Sequence, residues 1–202
     1  SDYQQQGQTV MIVAEQKKIL GVIAVADAVK EDSVLALRVL KQQGYKTVMI
    51  TGDHEQTAQA IARQVGIDHV IANVLPEDKA KEVQRLQNYG MVAFVGDGIN
   101  DAPALKEANV GIAMGTGTDI AIEAGDIVLT KGSLTGVVEA ITLSKKTFSK
   151  IKQNLFWAFA YNVVAIPVAV AGLLHPVIAE LAMALSSITV VTNANLLRRA
   201  RI

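Results

Sequence analysis

The sequence contains no cysteine among its 202 residues. This excludes disulfides, thiolate metal sites and a cysteine nucleophile within the chain. Lysine plus arginine equals aspartate plus glutamate at 19 each, and a formal net charge of +0 argues against a nucleic-acid-binding surface. Residues 1–10 show no basic start followed by an apolar run, so no signal peptide is visible and we expect the chain to begin partway through a longer protein. The hydrophobic fraction is 50%, which is high for a purely soluble protein and predicts contact with a membrane.

Short apolar runs alternate with helical patterns through residues 1–132. The predicted strands cover residues 9–14, 19–26, 47–51, the neighbourhood of 70, 91–95, 110–114 and 127–130. The predicted helices cover residues 31–43, 55–65, 76–89 and 119–124. The first two strands indicate a hairpin or adjacent strands. The later alternation, with short connections, predicts an α/β domain in which helices cover both faces of a parallel sheet.

The string GDGINDAPAL at residues 96–105 follows a predicted buried strand and carries the strongest chemical signal. Asp97 and Asp101 lie four residues apart at the strand end, where open α/β sheets place their ligands. Asn100 can cap the short helix that Pro103 helps to start. Two hard oxygen ligands beside a helix N-terminus suit a magnesium ion that carries a phosphoryl group. The alternative is a turn whose polar side chains make only local hydrogen bonds.

Two further stretches can contact a phosphoryl group. Thr51, Gly52 and Asp53 form a strand-to-helix turn whose hydroxyl and amide can donate to phosphate, although such a turn is also a common structural cap. Lys79 starts a helix and could neutralise charge on a transferred phosphoryl group, whereas an exposed surface lysine is the alternative. For the glycine- and threonine-containing stretch 115–118 we favour a structural turn over a phosphate loop.

From residue 133 the character of the chain changes, and we assign residues 133–202 to a helical linker and two membrane helices at about 153–174 and 177–197. Each apolar stretch is long enough to cross a bilayer core of about 30 Å. Basic clusters flank the pair at both outer ends, which predicts that both ends face the cytoplasm. A pair of core helices in a soluble bundle is the alternative.

These motifs resemble those of the P-type ATPases, within the haloacid-dehalogenase-like superfamily. The string GDGINDAPAL resembles the hinge motif of that family, and the stretch TGDHEQTA at residues 51–58 is also similar to the family's sequence. The resemblance implies a Rossmann-like phosphorylation domain at residues 1–132. In it, Asp97 coordinates magnesium directly with support from Asn100 and Asp101. The implied catalytic residues are Thr51, Gly52, Asp53, Lys79, Asp97, Asn100 and Asp101. The implied residues for phosphate and nucleotide are Asp27, Thr51, Gly52 and Lys79, of which Asp27 matches an acidic residue where the phosphorylation and nucleotide-binding domains join.

The family's phosphorylated aspartate stands in an Asp-Lys-Thr-Gly-Thr string, and no such string occurs in this chain. Alone, the chain should therefore form no aspartyl-phosphate, and ATP should act through domains absent from it. We interpret the chain as the C-terminal part of a transport ATPase whose remaining domains are its partners. Two alternatives stay open: a non-catalytic membrane-anchored module, and a soluble-type phosphatase with an added hairpin anchor.

Polar residues in the predicted membrane helices indicate the transported ion, because such residues commonly mark a transport path. Met183 and Ser187 share a helix face, and a thioether suits monovalent copper or silver. Two motifs resemble those in the last two helices of copper-selective heavy-metal P-type ATPases. They are the pair Tyr161-Asn162 and the motif Met-x-x-Ser-Ser, which here consists of Met183, Ser186 and Ser187. Zinc and cadmium relatives carry an acidic residue in the last helix, where this chain has no aspartate and only Glu180, for which we favour an interfacial position with no role. Plain helix packing is the structural alternative for the polar residues. The resemblance implies copper export across a plasma (inner) membrane, with the phosphorylation domain in the cytoplasm.

Overall fold

Strands and helices alternate along the first unit of the chain, as the sequence predicts. The computed structural model describes residues 9–16, 18–25, 29–173 and 175–199. Its strands in these ranges are β1 Thr9–Glu15, β2 Lys18–Val25, β3 Val48–Ile50, β4 His69–Ile71, β5 Ala93–Gly96, β6 Val110–Met114 and β7 Ile127–Leu129. Its α-helices are α1 Glu31–Gln42, α2 Glu55–Val65, α3 Lys79–Gln87, α4 Ala102–Glu107, α5 Asp119–Ala124, α6 Thr135–Val170 and α7 Pro176–Asn195. Short 3₁₀ turns cover Pro76–Asp78, Ile99–Asp101 and Leu196–Arg199.

The first two strands form the predicted hairpin. β1 and β2 pair antiparallel, with a shift of register between Val13 and Ala14. Gln16 adopts a φ of 41° in the turn between them, a left-handed conformation that tight turns require. Residue 26, which the sequence assigns to the second strand, lies outside the described residues, as does Asp27.

The remaining strands form parallel sheets, which confirms the α/β class but corrects the expectation of a single sheet. β3 pairs with β4, and β5, β6 and β7 form a separate sheet in that order. β3 and β5 each have a hydrogen-bonded neighbour on one side only within the described ranges. Apolar runs identify strands but carry no information about which strands pair, because pairing depends on contacts distant in sequence.

Small residues bring α4 and α5 close to β6. Ala102, Leu105, Ala113, Ala121 and Ala124 form a buried cluster against which Phe94 packs. A side chain added at Gly111 on β6 would lie 2.4 Å from the main-chain oxygen of Leu105. The backbone of α4 therefore packs directly on the sheet, and this close packing holds the segment after β5 in place.

Helix boundaries follow local signals in most places. Gly66 ends α2 in a left-handed conformation with a φ of 82°, and its N–H donates to the Ala62 carbonyl at 2.8 Å. The predicted helix 76–89 is shorter than expected, because its first turn Pro76–Asp78 is 3₁₀ and α3 ends at Gln87.

The chain separates into two compact units, Ser1–Val138 and Glu139–Ile202. α6 begins in the first unit and continues into the second, which also contains α7. The segments Thr135–Val170 and Pro176–Arg198 are long and apolar enough to cross a membrane. His175 caps α7, because its ring nitrogen accepts a hydrogen bond from the Val177 N–H at 3.3 Å.

Candidate functional site

The turn after β5 is closed by Asp101. One carboxylate oxygen of Asp101 accepts hydrogen bonds from the N–H groups of Asp97 and Gly98, both at 3.3 Å. Asp101 is 9% exposed, and a side chain added at Gly96 would lie 2.7 Å from the Asp101 Cβ. Position 96 therefore requires glycine, so that the carboxylate can fold back under the turn and hold Asp97 at the strand end.

Lys79 reaches the same turn from the first residue of α3. Its Nζ lies 2.7 Å from the second carboxylate oxygen of Asp101, and the two side chains are only 18% and 12% exposed. The structure thus brings together two residues that lie far apart in sequence, as the prediction for Lys79 requires. Both carboxylate oxygens of Asp101 already accept hydrogen bonds from groups of the protein, whereas the ammonium of Lys79 can still donate two further hydrogen bonds.

Asp97 presents an exposed carboxylate. Its main-chain oxygen accepts a hydrogen bond from the Thr118 N–H at 2.9 Å. A side chain added at Gly117 would lie 2.3 Å from that same oxygen. The 115–118 turn therefore supports the backbone of Asp97, a role that the sequence analysis missed, although two glycines directly after a strand indicate a close backbone approach.

The 51–53 turn is held by internal hydrogen bonds. The Thr51 hydroxyl donates to a carboxylate oxygen of Asp53 at 2.9 Å and accepts from the Asp53 N–H at 3.1 Å. The carbonyls of Thr51 and Asp53 accept from the N–H groups of Val74 and Asn73 at 3.0 and 2.9 Å. Gly52 is exposed. Within the described ranges no hydrogen bond joins this turn to Lys79 or to the turn after β5.

Asn100 does not cap the helix after β5, so that prediction is wrong. Asn100 lies inside the 3₁₀ turn Ile99–Asp101, and the N-cap residue of α4 is Asp101. The 3₁₀ turn moves the helix start one residue along the chain. Pro103 does occupy the first turn of α4, as predicted.

The five residues predicted to bind the transported ion lie on α6 and α7 but do not share one enclosed site. Asn162, Met183 and Ser187 are exposed, Met183 by 73%, whereas Tyr161 and Ser186 are half-buried. The Asn162 amide donates to the Ala158 carbonyl at 2.8 Å, and the Ser187 hydroxyl donates to the Met183 carbonyl at 3.2 Å. These bonds use N–H and O–H donors, so the side-chain oxygens stay available as ligands.

Few carboxylates lie near the turn after β5 or near the proposed ion residues on α6 and α7. Among the described residues no group of three or more histidine, aspartate or glutamate side chains could hold a metal ion. Magnesium commonly binds through one or two carboxylates together with phosphate oxygens and water. The exposed Asp97 carboxylate at a strand end fits such a partial magnesium site.

In a parallel α/β domain, the carboxyl ends of the strands, where Asp97 and Asp101 lie, are the usual place for a ligand. The family profile described as "haloacid dehalogenase-like hydrolase" matches residues 1–109. The chain belongs to the haloacid dehalogenase-like hydrolase family.

Known relatives extend this similarity over almost the whole chain. The chain is 53% identical over 201 residues to proteins described as "Copper-exporting P-type ATPase" from Staphylococcus aureus strains JH9 and Newman. Each match covers 99% of this chain and 25% of the relative. The chain therefore spans about a quarter of the length of these curated relatives.

Solved structures agree with the sequence matches. A crystal structure of a zinc-transporting PIB-type ATPase in the E2.Pi state superimposes with a TM-score of 0.86 at 39% identity, covering 97% of this chain and 32% of that chain. A crystal structure of a zinc-transporting PIB-type ATPase in a different state gives a TM-score of 0.83 at the same identity and coverage. The resemblance to heavy-metal P-type ATPases is confirmed.

Proposed function

We propose that the chain is the C-terminal part of an ATP-driven pump that exports monovalent copper or silver. It supplies the magnesium and phosphate site and part of the transmembrane metal site. The observation that carries the phosphoryl part of the proposal is the largely buried Lys79–Asp101 pair at 2.7 Å beside the exposed carboxylate of Asp97. Cytoplasmic placement of this site, with α6 and α7 in the plasma membrane, belongs to the same proposal.

The residues of the first unit divide the phosphoryl chemistry among them. Lys79 donates its two remaining N–H bonds to phosphoryl oxygens, and Asp101 keeps the ammonium in place. Asp97 holds magnesium, which supplies positive charge to the phosphoryl group when bound. The exposed Gly52 amide contributes a further donor, and Thr51 exchanges its bond to Asp53 for one to phosphate.

The remaining domains of the ATPase supply ATP binding and the phosphorylated aspartate, which this chain lacks. The open edges of the two parallel sheets, formed by β3, β4, β5 and β7 within the described ranges, support this division of roles. An unpaired parallel edge can accept a strand from another part of the protein. Asp27, which lies outside the described residues, keeps its proposed place at the junction with the nucleotide-binding domain.

Asp97→Ala tests the phosphoryl site. In the complete protein we expect this change to abolish magnesium-dependent phosphorylation from ATP, because the only carboxylate proposed to contact the metal directly is lost. Glu123→Ala, which removes an exposed carboxylate from α5, is the matched control and should leave phosphorylation unchanged. Phosphoenzyme in normal amounts from Asp97→Ala would contradict the assignment.

A zinc or cadmium pump is a second candidate, because the matching solved structures are described as zinc-transporting. Met183 distinguishes the two, since its soft thioether favours monovalent copper or silver. Met183→Ala should weaken stimulation of ATP hydrolysis by copper and leave phosphorylation by inorganic phosphate intact. Leu181→Ala, at another exposed apolar position on α7, is the control. Unchanged copper stimulation in Met183→Ala would place the ion site elsewhere.

A further inference from the structure

Four polar side chains form a hydrogen-bonded group between α6 and α7. Lys150 Nζ donates to Asn193 Oδ1 at 2.7 Å and to Gln153 Oε1 at 3.3 Å. Asn193 Nδ2 donates to Asn154 Oδ1 at 2.7 Å and to Gln153 Oε1 at 3.3 Å. The Asn193 amide therefore uses its oxygen and its nitrogen on α6 at once. We call Lys150, Gln153, Asn154 and Asn193 the interhelical cluster.

The hydrogen bonds of the interhelical cluster contribute to how α6 and α7 associate in a membrane. Helices in lipid gain no hydrophobic driving force from each other, so hydrogen bonds and close packing determine how they associate. The positive charge of the Lys150 ammonium strengthens its hydrogen bond to Asn193, because charge-assisted hydrogen bonds are stronger than neutral ones. An amide that accepts from one residue and donates to others also fixes orientation, since both of its ends must find their partners.

The interhelical cluster lies at the same distance from the proposed ion residues along α6 as along α7. Asn154 precedes Tyr161 by seven residues on α6, and Asn193 follows Ser186 by seven residues on α7. The two helices run antiparallel through this bonded pair, so equal spacing puts Tyr161 and Ser186 at one level, about 10 Å from the cluster along the helix axes. All four of these residues are half-buried, which places each pair on one face of its helix.

We propose that the interhelical cluster positions the transmembrane ion site by fixing the register of α6 against α7. The cluster does not touch the ion. It holds Tyr161 and Ser186 at one level, and one turn of slippage would move either residue about 5 Å along the axis. This inference rests on the proposed function, because it assigns the purpose of the cluster to the ion site of the pump.

The test uses the complete protein in lipid and compares Asn193→Leu with Asn195→Leu. Asn195 carries the same amide two residues further along α7, is exposed, and lies outside the cluster. Asn193→Leu should raise the silver concentration for half-maximal ATPase stimulation about tenfold and weaken equilibrium silver binding by about the same factor. Phosphorylation by inorganic phosphate in the absence of metal should stay normal. Asn195→Leu should match the unmodified protein in all three measurements.

A second pair of variants separates positioning from general folding. Lys150→Arg keeps a charged donor and should retain silver affinity, whereas Lys150→Met should lose affinity as Asn193→Leu does. Silver binding by Asn193→Leu that equals that of Asn195→Leu overturns the inference. Loss of phosphorylation by inorganic phosphate in Asn193→Leu also overturns it, because the cluster would then serve the whole fold. An unmodified protein that binds neither silver nor monovalent copper overturns the proposed function and this inference with it.

Discussion

Gly117 shows how one small residue supports a site from a distance in sequence. Its position lies against the main-chain oxygen of Asp97, where any side chain would come within 2.3 Å. Gly98, in the same turn as Asp97, is different, because a side chain added there would lie 3.6 Å from the nearest atom, a carboxylate oxygen of Asp101. This is an ordinary van der Waals distance. The two glycines therefore offer a matched comparison between a close approach and an ordinary van der Waals contact.

Gly117→Ala should lower the free energy of unfolding by about 1–3 kcal/mol, because the 115–118 turn must move away from Asp97. Gly98→Ala should change the same quantity by less than about 0.5 kcal/mol. Denaturant unfolding of both variants, followed by circular dichroism, provides the measurement. Equal loss of stability in the two variants would show that contact with the Asp97 oxygen does not determine the requirement for glycine at position 117.

At the scale of residues, the sequence predicts which side chains carry chemistry but not which side chains they contact. The sequence predicts that the segment before the helix of Lys79 lies beside the strand ends, and in the structure Lys79 contacts Asp101 in the turn after β5. The buried contact with Asp101 depends on how α3 packs against the turn after β5, which the sequence does not encode locally. The prediction that Asn100 caps α4 is wrong because the 3₁₀ turn Ile99–Asp101 precedes this helix, so that its N-cap residue is Asp101.

At the scale of elements, Asp68 ties together α1, β3 and β4. The ammonium of Lys41, in the last turn of α1, lies 2.6 Å from one Asp68 oxygen. The other oxygen accepts from the N–H and the hydroxyl of Thr47, just before β3, at 2.9 and 2.8 Å. The hydrogen bond from Lys41 and those from Thr47 lower the pKa of Asp68 from 3.8 to about 2.

This pKa predicts a pH-dependent contribution to stability. The carboxylate is favoured in the folded state, so the contribution is present above the ordinary pKa of 3.8 and is lost as the pH falls to about 2. Because both side chains of the pair are partly exposed, we expect only about 1 kcal/mol.

Asp68→Asn should lower the free energy of unfolding at about pH 6, and the difference from the unmodified chain should shrink as the pH falls to about 2. Asp78→Asn is the control, since Asp78 pairs with Lys81 on the surface. Urea unfolding at several pH values provides the measurement. A constant difference across this range would show that the charge of Asp68 does not contribute.

Elements with strong local signals were predicted well, whereas their pairing was not. The bounds of α2 and α5 match the prediction, because the glycine at residue 66 ends one helix and Thr118 caps the other. The division of the parallel strands into two sheets was not predicted. Which strands become neighbours depends on the whole fold, and a strand from the remaining protein would alter the pairing of β3 and β5.

At the scale of the whole molecule, two units with different physical character lie on one chain. The first unit carries the buried Lys79–Asp101 pair, and the second contains two helices long and apolar enough to cross a membrane. From composition and apolar run length, the sequence predicts a phosphorylation domain at residues 1–132 and a helical membrane part at residues 133–202. It could not show that Met183 and Ser187 are exposed while Ser186 is half-buried, because such faces depend on the neighbouring helix.

Exposure of Met183 and Asn162 fits the proposal that this chain holds only part of the ion site. Under this proposal the other ligands come from membrane helices outside this chain, which covers 25% of the length of the copper-exporting relatives. The same proposal explains why the nucleophile is missing although Lys79 and Asp97 are in place. Both sites would be completed by the same absent segments.

The most direct test is metal-stimulated ATP hydrolysis by the complete protein in lipid, measured with copper under reducing conditions, silver, zinc and cadmium. The account predicts stimulation by copper and silver and none by zinc or cadmium, because Met183 supplies a soft ligand and no aspartate lies on α7. Stimulation by zinc or cadmium alone would contradict the ion assignment. Failure of every metal to stimulate hydrolysis would contradict the central claim that this chain belongs to an ion pump.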